Sequence, residues 1–84
     1  MAKVELTGVS QRQIDALPKL IRLRLLDVVR RLERWPNVSG AKPLRRSLAG
    51  RFRIRTGDYR VQFYLEGNIV VVEKVGKRDR FYED

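Results

Sequence analysis

The hydrophobic pattern of this chain shifts from a helical to an extended period near its middle, and that change limits the folds open to it. From Ile14 to Trp35 the residues Ile14, Leu17, Ile21, Leu25, Val28, Leu32 and Trp35 recur every three or four positions, which lines one stripe of a helix. After Gly50 the period becomes two. Phe52 and Ile54 alternate with Arg51, Arg53 and Arg55, then Tyr59, Val61, Phe63 and Leu65 alternate with Arg60, Gln62 and Tyr64. Helix and strand bury different sets of side chains, so neither pattern serves the other element. A chain of 84 residues has room for one core. The helical and the extended part therefore share it, in one domain spanning residues 1–84.

Pro18 divides the helical stretch. Proline suits the first turn of a helix and disrupts its interior, which predicts a hairpin of two helices, one near 10–17 and one near 19–35. Ser10 is the expected N-cap of the first, and Pro36-Asn37 ends the second. Before them, residues 3–7 alternate polar and apolar over the length of a short, half-buried strand. Residues 36–50 hold prolines and glycines with Lys42, Arg45 and Arg46, and read as a long basic loop of the kind that often carries function. Gly57-Asp58 and Gly67-Asn68 are tight-turn dipeptides, the second leading into Ile69–Val75. The expected fold is α+β: an N-terminal strand, a helical hairpin, then a three-stranded antiparallel meander, with the helices on one face of a small, mainly antiparallel sheet.

If Gly57-Asp58 form a two-residue loop, counting outward sets Thr56 against Tyr59, Arg55 against Arg60, Ile54 against Val61, Arg53 against Gln62 and Phe52 against Phe63. The apolar pairs then share one face, as a one-sided core requires. The other face collects Arg51, Arg53, Arg55, Arg60, Gln62 and Tyr64. Arg55 directly opposite Arg60 is a like-charge pair, destabilising unless something neutralises it. Neither Asp58 in the turn nor Glu66 beyond the strand belongs to that face in this register, and Glu73 reaches it from the next strand, opposite Gln62. Guanidinium forks suit phosphate oxygens, so the face reads as a phosphate-binding surface, widened by Lys42, Arg45, Arg46, Lys77, Arg78 and Arg80.

Composition agrees. Lys and Arg number 19 against 10 Asp and Glu, a net charge of +9 that favours a polyanionic partner. Cysteine and histidine are absent, which excludes disulfides, thiol nucleophiles, Ser-His and His-pair chemistry, and Cys- or His-ligated metal. Asp79, Glu83 and Asp84 show no metal-ligand spacing, and no metal or other cofactor is expected. The longest apolar run is Ile69-Val70-Val71-Val72, far short of the ~20 residues that span a bilayer. No signal-peptide pattern opens the chain, and the expected setting is the cytoplasm. Trp35 reads as a core anchor, and Arg22, Arg24, Arg30, Arg31 and Arg34 as a solvated helix face. Leu20, Leu23 and Leu26 lie off the main stripe.

Phe52-Arg53-Ile54-Arg55, Gly57-Asp58-Tyr59-Arg60-Val61, Val75-Gly76-Lys77-Arg78 and the closing Tyr82 resemble, in order and spacing, the RelE/ParE superfamily of type II toxin–antitoxin toxins. The resemblance extends to Trp35-Pro36, Lys42-Pro43-Leu44, Leu48-Ala49-Gly50 and the helical hairpin. It implies the same antiparallel sheet with helices on one face. It also implies, for the RelE branch, a toxin that arrests growth by cutting mRNA in the ribosomal A site, using the nucleotide's own 2′-hydroxyl and no metal. ParE-like relatives share the fold and act on DNA gyrase without cleavage; a basic nucleic-acid-binding module without cleavage is a third reading. Carried over, the RelE-like catalytic set is Arg53, Arg55, Arg60, Arg78 and Tyr82, with Arg45, Arg46, Arg51, Lys77 and Arg80 contacting substrate. The implied partners are a cognate, acidic antitoxin, with the off-stripe leucines as its groove, and mRNA on the ribosome with its rRNA. RelE has lysines where this chain has Arg53 and Arg55, and other relatives place histidine where Lys77 stands. The resemblance therefore leaves the general base open, between Lys77, Tyr82 and a site working by charge neutralisation and orientation alone.

Overall fold

A computed structural model describes residues 2–77. The elements run β1 (Lys3–Leu6), α1 (Gly8–Asp15), α2 (Lys19–Leu32), β2 (Lys42–Pro43), a single 3-10 turn (Arg46–Leu48), β3 (Arg51–Thr56), β4 (Tyr59–Glu66) and β5 (Ile69–Lys77). They form one five-stranded sheet in the order β1-β5-β4-β3-β2, with β1 parallel to β5 and every other neighbour antiparallel. The α+β reading, with its hairpin-joined meander, holds.

The two helices lay their apolar stripe on one side of that sheet. Ile14 of α1 and Leu25, Val28 and Leu32 of α2 are buried against Ile54, Val61, Phe63, Val70, Val72 and Val75, while Leu17, Ile21 and Trp35 pack at the margin. Trp35 meets Phe52 and Phe63 edge-on, at 5.0 and 5.4 Å between ring centroids. The two phenylalanines stack at 5.6 Å. Pro18 precedes the first residue of α2, where its missing N–H is no loss.

The first helix starts earlier than its sequence suggests. Thr7, not Ser10, is the N-cap: its hydroxyl accepts from the Ser10 backbone N–H at 3.1 Å. Ser10 is fully buried one turn in, and its own hydroxyl donates 2.8 Å to the carbonyl of Val72 on β5. Residues 36–50 are not all loop, because Lys42 and Pro43 pair with Arg53 and Phe52 as a two-residue edge strand. A strand that short carries no readable period, and a lysine and a proline at an outer edge discourage pairing with other chains.

The register of β3 against β4 is the one the turn dipeptide sets, from Thr56↔Tyr59 to Phe52↔Phe63. Gly57 sits at φ +58, as the first central residue of a tight hairpin turn requires. Between β4 and β5 the pairing shifts by one: Phe63 faces Val72, but Gln62 faces Lys74, so Glu73 is the extra residue of a bulge. Burial explains it. Val70 and Val72 lie two apart, but Val75 lies three beyond Val72, and all three are buried in the helix-side core. Strict alternation would turn Val75 outward, and the bulge restores it. Gln13 of α1 then accepts from the Val75 backbone N–H at 2.7 Å, tying the helix to the irregular strand.

Candidate nucleic-acid interface

Alternation places Arg51, Arg53 and Arg55 of β3 and Arg60, Gln62 and Tyr64 of β4 on the side of the sheet away from the helices. Across the strands they form rows. Arg55 faces Arg60, which faces Gly76; Lys42, Arg53, Gln62 and Lys74 line the next; Arg51, Tyr64 and Val71 line the third. Lys42 thus joins the arginines through β2 rather than from a loop. In each row directly paired residues stand ~4.5–5.5 Å apart across the strands.

Among the described residues three carboxylates share this side. Glu5 is on the edge strand β1, beside Lys3 at 3.6 Å. Glu66 ends β4 rather than lying beyond it, and its alternation matches that of Arg60. It is six residues along the strand, ~20 Å away. Glu73 alone stands among the arginines. It does not face Gln62 in register, as expected, yet it reaches it from the bulge: its Oε2 accepts from Gln62 Nε2 at 2.9 Å and from Arg51 Nε at 3.0 Å. The first of these bonds gives a partner to the amide nitrogen of Gln62, which is only 7% exposed. The Arg51 guanidinium also lies 5.1 Å from the centroid of the Tyr64 ring. Arg51, expected to contact substrate, thus has internal partners on both sides.

The remaining expected residues spread more widely. Arg45 and Arg46 are exposed in the excursion between β2 and β3, which closes where the Leu44 N–H donates 2.8 Å to the carbonyl of Arg51. That is the end of β3 opposite to Arg55. Arg46 holds φ +59, the one non-glycine residue in the left-handed region among the described residues. Lys77 closes β5 opposite Tyr59, on the alternation of the helix side rather than that of the arginines. Arg78, Arg80 and Tyr82 lie outside the described residues. Among the described residues no three His, Cys, Asp or Glu side chains gather as a metal site would need. No helix there is long and apolar enough to cross a membrane.

The fold has counterparts among solved structures. A chain of the toxin–antitoxin complex RelBE2 from Mycobacterium tuberculosis superposes with a TM-score of 0.81 and 32% identity, over 92% of this chain and 98% of that one. The chain belongs to the RelE family of toxins. The isolated RelE toxin of E. coli shares the fold at a TM-score of 0.75 and 16% identity, over 92% of this chain and 84% of that one. So does the archaeal RelE–RelB complex of Pyrococcus horikoshii, at 0.74 and 23%, over 94% and 97%. No protein-family model and no curated protein matches the chain. As a RelE-family member it is the toxin component of a toxin–antitoxin system. The sequence places Arg51, Gln62 and Glu73 on one face; what it does not show is the bulge at Glu73 and the bond from Arg51 Nε, whose signal is the three-residue step from Val72 to Val75.

Proposed function

We propose that this toxin is a ribosome-dependent endoribonuclease that cuts mRNA by attack of a 2′-hydroxyl on the adjacent phosphate, without metal, and so inhibits translation. The observation that carries this reading is the row Arg55–Arg60 beside the row Lys42–Arg53–Gln62–Lys74, on the side of the sheet opposite α1 and α2. Attack builds negative charge on the non-bridging phosphate oxygens. Arg53, Arg55 and Arg60, fixed on paired strands, offer donors to that charge with little reorganisation. Arg51, Arg45 and Arg46 extend the positive field toward flanking nucleotides, as the family resemblance implies for Arg78 and Arg80; Lys77, on the helix-side alternation, adds only long-range charge. Arg78 acts on the departing 5′-oxygen and Tyr82 stacks on a base or orients the hydroxyl, as the family resemblance implies.

The second partner is a cognate antitoxin, since the relatives from M. tuberculosis and P. horikoshii were solved as toxin–antitoxin complexes. The surface that supports it is apolar and lies on the helices. Leu20, Leu23 and Leu26 are 74%, 52% and 38% exposed, and the first two line a groove with Arg24, Asp27 and Thr56.

The test adds purified protein to ribosomes programmed with a defined mRNA. The expected result is a cut in the A-site codon leaving a 2′,3′-cyclic or 3′-phosphate. Arg60→Ala is expected to lower the rate by about 100-fold or more, with growth arrest lost and the unfolding midpoint retained. Intact mRNA, with inhibited gyrase or with RNA binding alone, overturns the reading.

A further inference from the structure

Cleavage by a 2′-hydroxyl needs a group that takes its proton, and most of this face cannot serve. Guanidinium and ammonium groups carry their protons at neutral pH and have no acceptor site. We propose that Glu73 is the general base of the cleavage site, an assignment that rests on the endoribonuclease reading above.

Three observations support it. Glu73 stands at the bulge of β5 on the arginine side of the sheet, its carboxylate hydrogen-bonded to Gln62, whose row holds Arg53 and whose neighbour two positions along β4 is Arg60. The side chain is 20% exposed, so it is sheltered yet open to a ligand laid on the sheet. Its orientation is set by two bonds, from Arg51 Nε and Gln62 Nε2, that both end on Oε2. Neither engages Oε1. A carboxylate so held presents one oxygen to its supports and the other to an incoming hydroxyl, the geometry a proton acceptor needs. Arg51 and Gln62 then act as positioning residues.

The step balances as follows. The 2′-hydroxyl gives its proton to Glu73 Oε1 as its oxygen bonds to the adjacent phosphorus. The bond from phosphorus to the 5′-oxygen breaks, and that oxygen takes a proton from solvent. The products are a 2′,3′-cyclic phosphate and a 5′-hydroxyl, and Glu73 returns its proton to water.

The competing role is a brace, in which Glu73 only holds Arg51 in place. The two separate in single-turnover cleavage of programmed ribosomes by wild type, Glu73→Gln, Glu73→Asp and Glu73→Ala, the last with added small carboxylates of graded basicity. Glutamine keeps an oxygen for Arg51 and Gln62 but takes no proton. It is expected to lower the rate about 100-fold or more, while co-sedimentation with ribosomes and the unfolding midpoint stay unchanged. Glu73→Asp, a carboxylate on a shorter arm, is expected to be slower than wild type but faster than Glu73→Gln, and cleavage by Glu73→Ala is expected to rise with the basicity of the added carboxylate, which decides the matter if the glutamine variant fails to fold. Wild-type-like cleavage by Glu73→Gln, or a Glu73→Ala rate that ignores the basicity of the added carboxylate, overturns the assignment and leaves the endoribonuclease reading standing. An uncut mRNA with wild-type protein overturns both.

Discussion

The two sides of the β3–β4 hairpin are made of alternate residues of the same two strands, yet they are built to opposite ends. On the helix side Ile54, Val61 and Phe63 are 0–1% exposed and Phe52 stacks beside them. On the other side the same strands hold four arginines and bury one polar group, Gln62. Burial stabilises the first set in proportion to apolar area removed from water. It would penalise the second, whose value lies in charge held in fixed geometry. A slip of one residue would exchange the two sets completely. The hairpin therefore shows why folding and ligand binding can be encoded in one short segment without competing: the strand's period keeps them on separate surfaces.

The widest test of that separation is Phe63→Ala. It should lower stability by about 3–5 kcal/mol in denaturant unfolding, because the ring supports Phe52 and Trp35 as well as the helices. A loss under ~1 kcal/mol would show that the core does not rest on this side. Next is Gln13→Leu, which orphans the buried N–H of Val75 and should cost about 1–3 kcal/mol; little change would deny that α1 holds the bulge. Gly57→Ala, at φ +58, should cost about 1 kcal/mol with cleavage retained. At the small end, Arg53→Gln should shift stability by no more than ~0.5 kcal/mol yet slow mRNA cleavage by about 100-fold. If it unfolded the protein and left cleavage intact, the two sides would have been assigned in reverse.

Much of this was legible in the sequence, for local reasons. Two turn dipeptides and an unbroken alternation set the pairing of Arg55 with Arg60 and of Phe52 with Phe63. The stripe from Ile14 to Trp35 named the helical half of the core. Short-range signals were also where reading failed. Thr7 and Ser10 are both good caps, and only the carbonyl of Val72, supplied from the other end of the chain, shows that Ser10 is wanted inside. Lys42-Pro43 is too brief to carry a period, and becomes a strand because β3 lies beside it.

The chain's own pattern determined which residues face the helices and which face away, because side-chain direction follows from strand period and turn length alone. What only the tertiary structure decided is the bulge at Glu73. Val72 and Val75 both enter the core under the helices, and one extra residue between them lets both do so. Lys74 rather than Glu73 then faces Gln62 in register, and the Glu73 carboxylate accepts from Gln62 and Arg51 together.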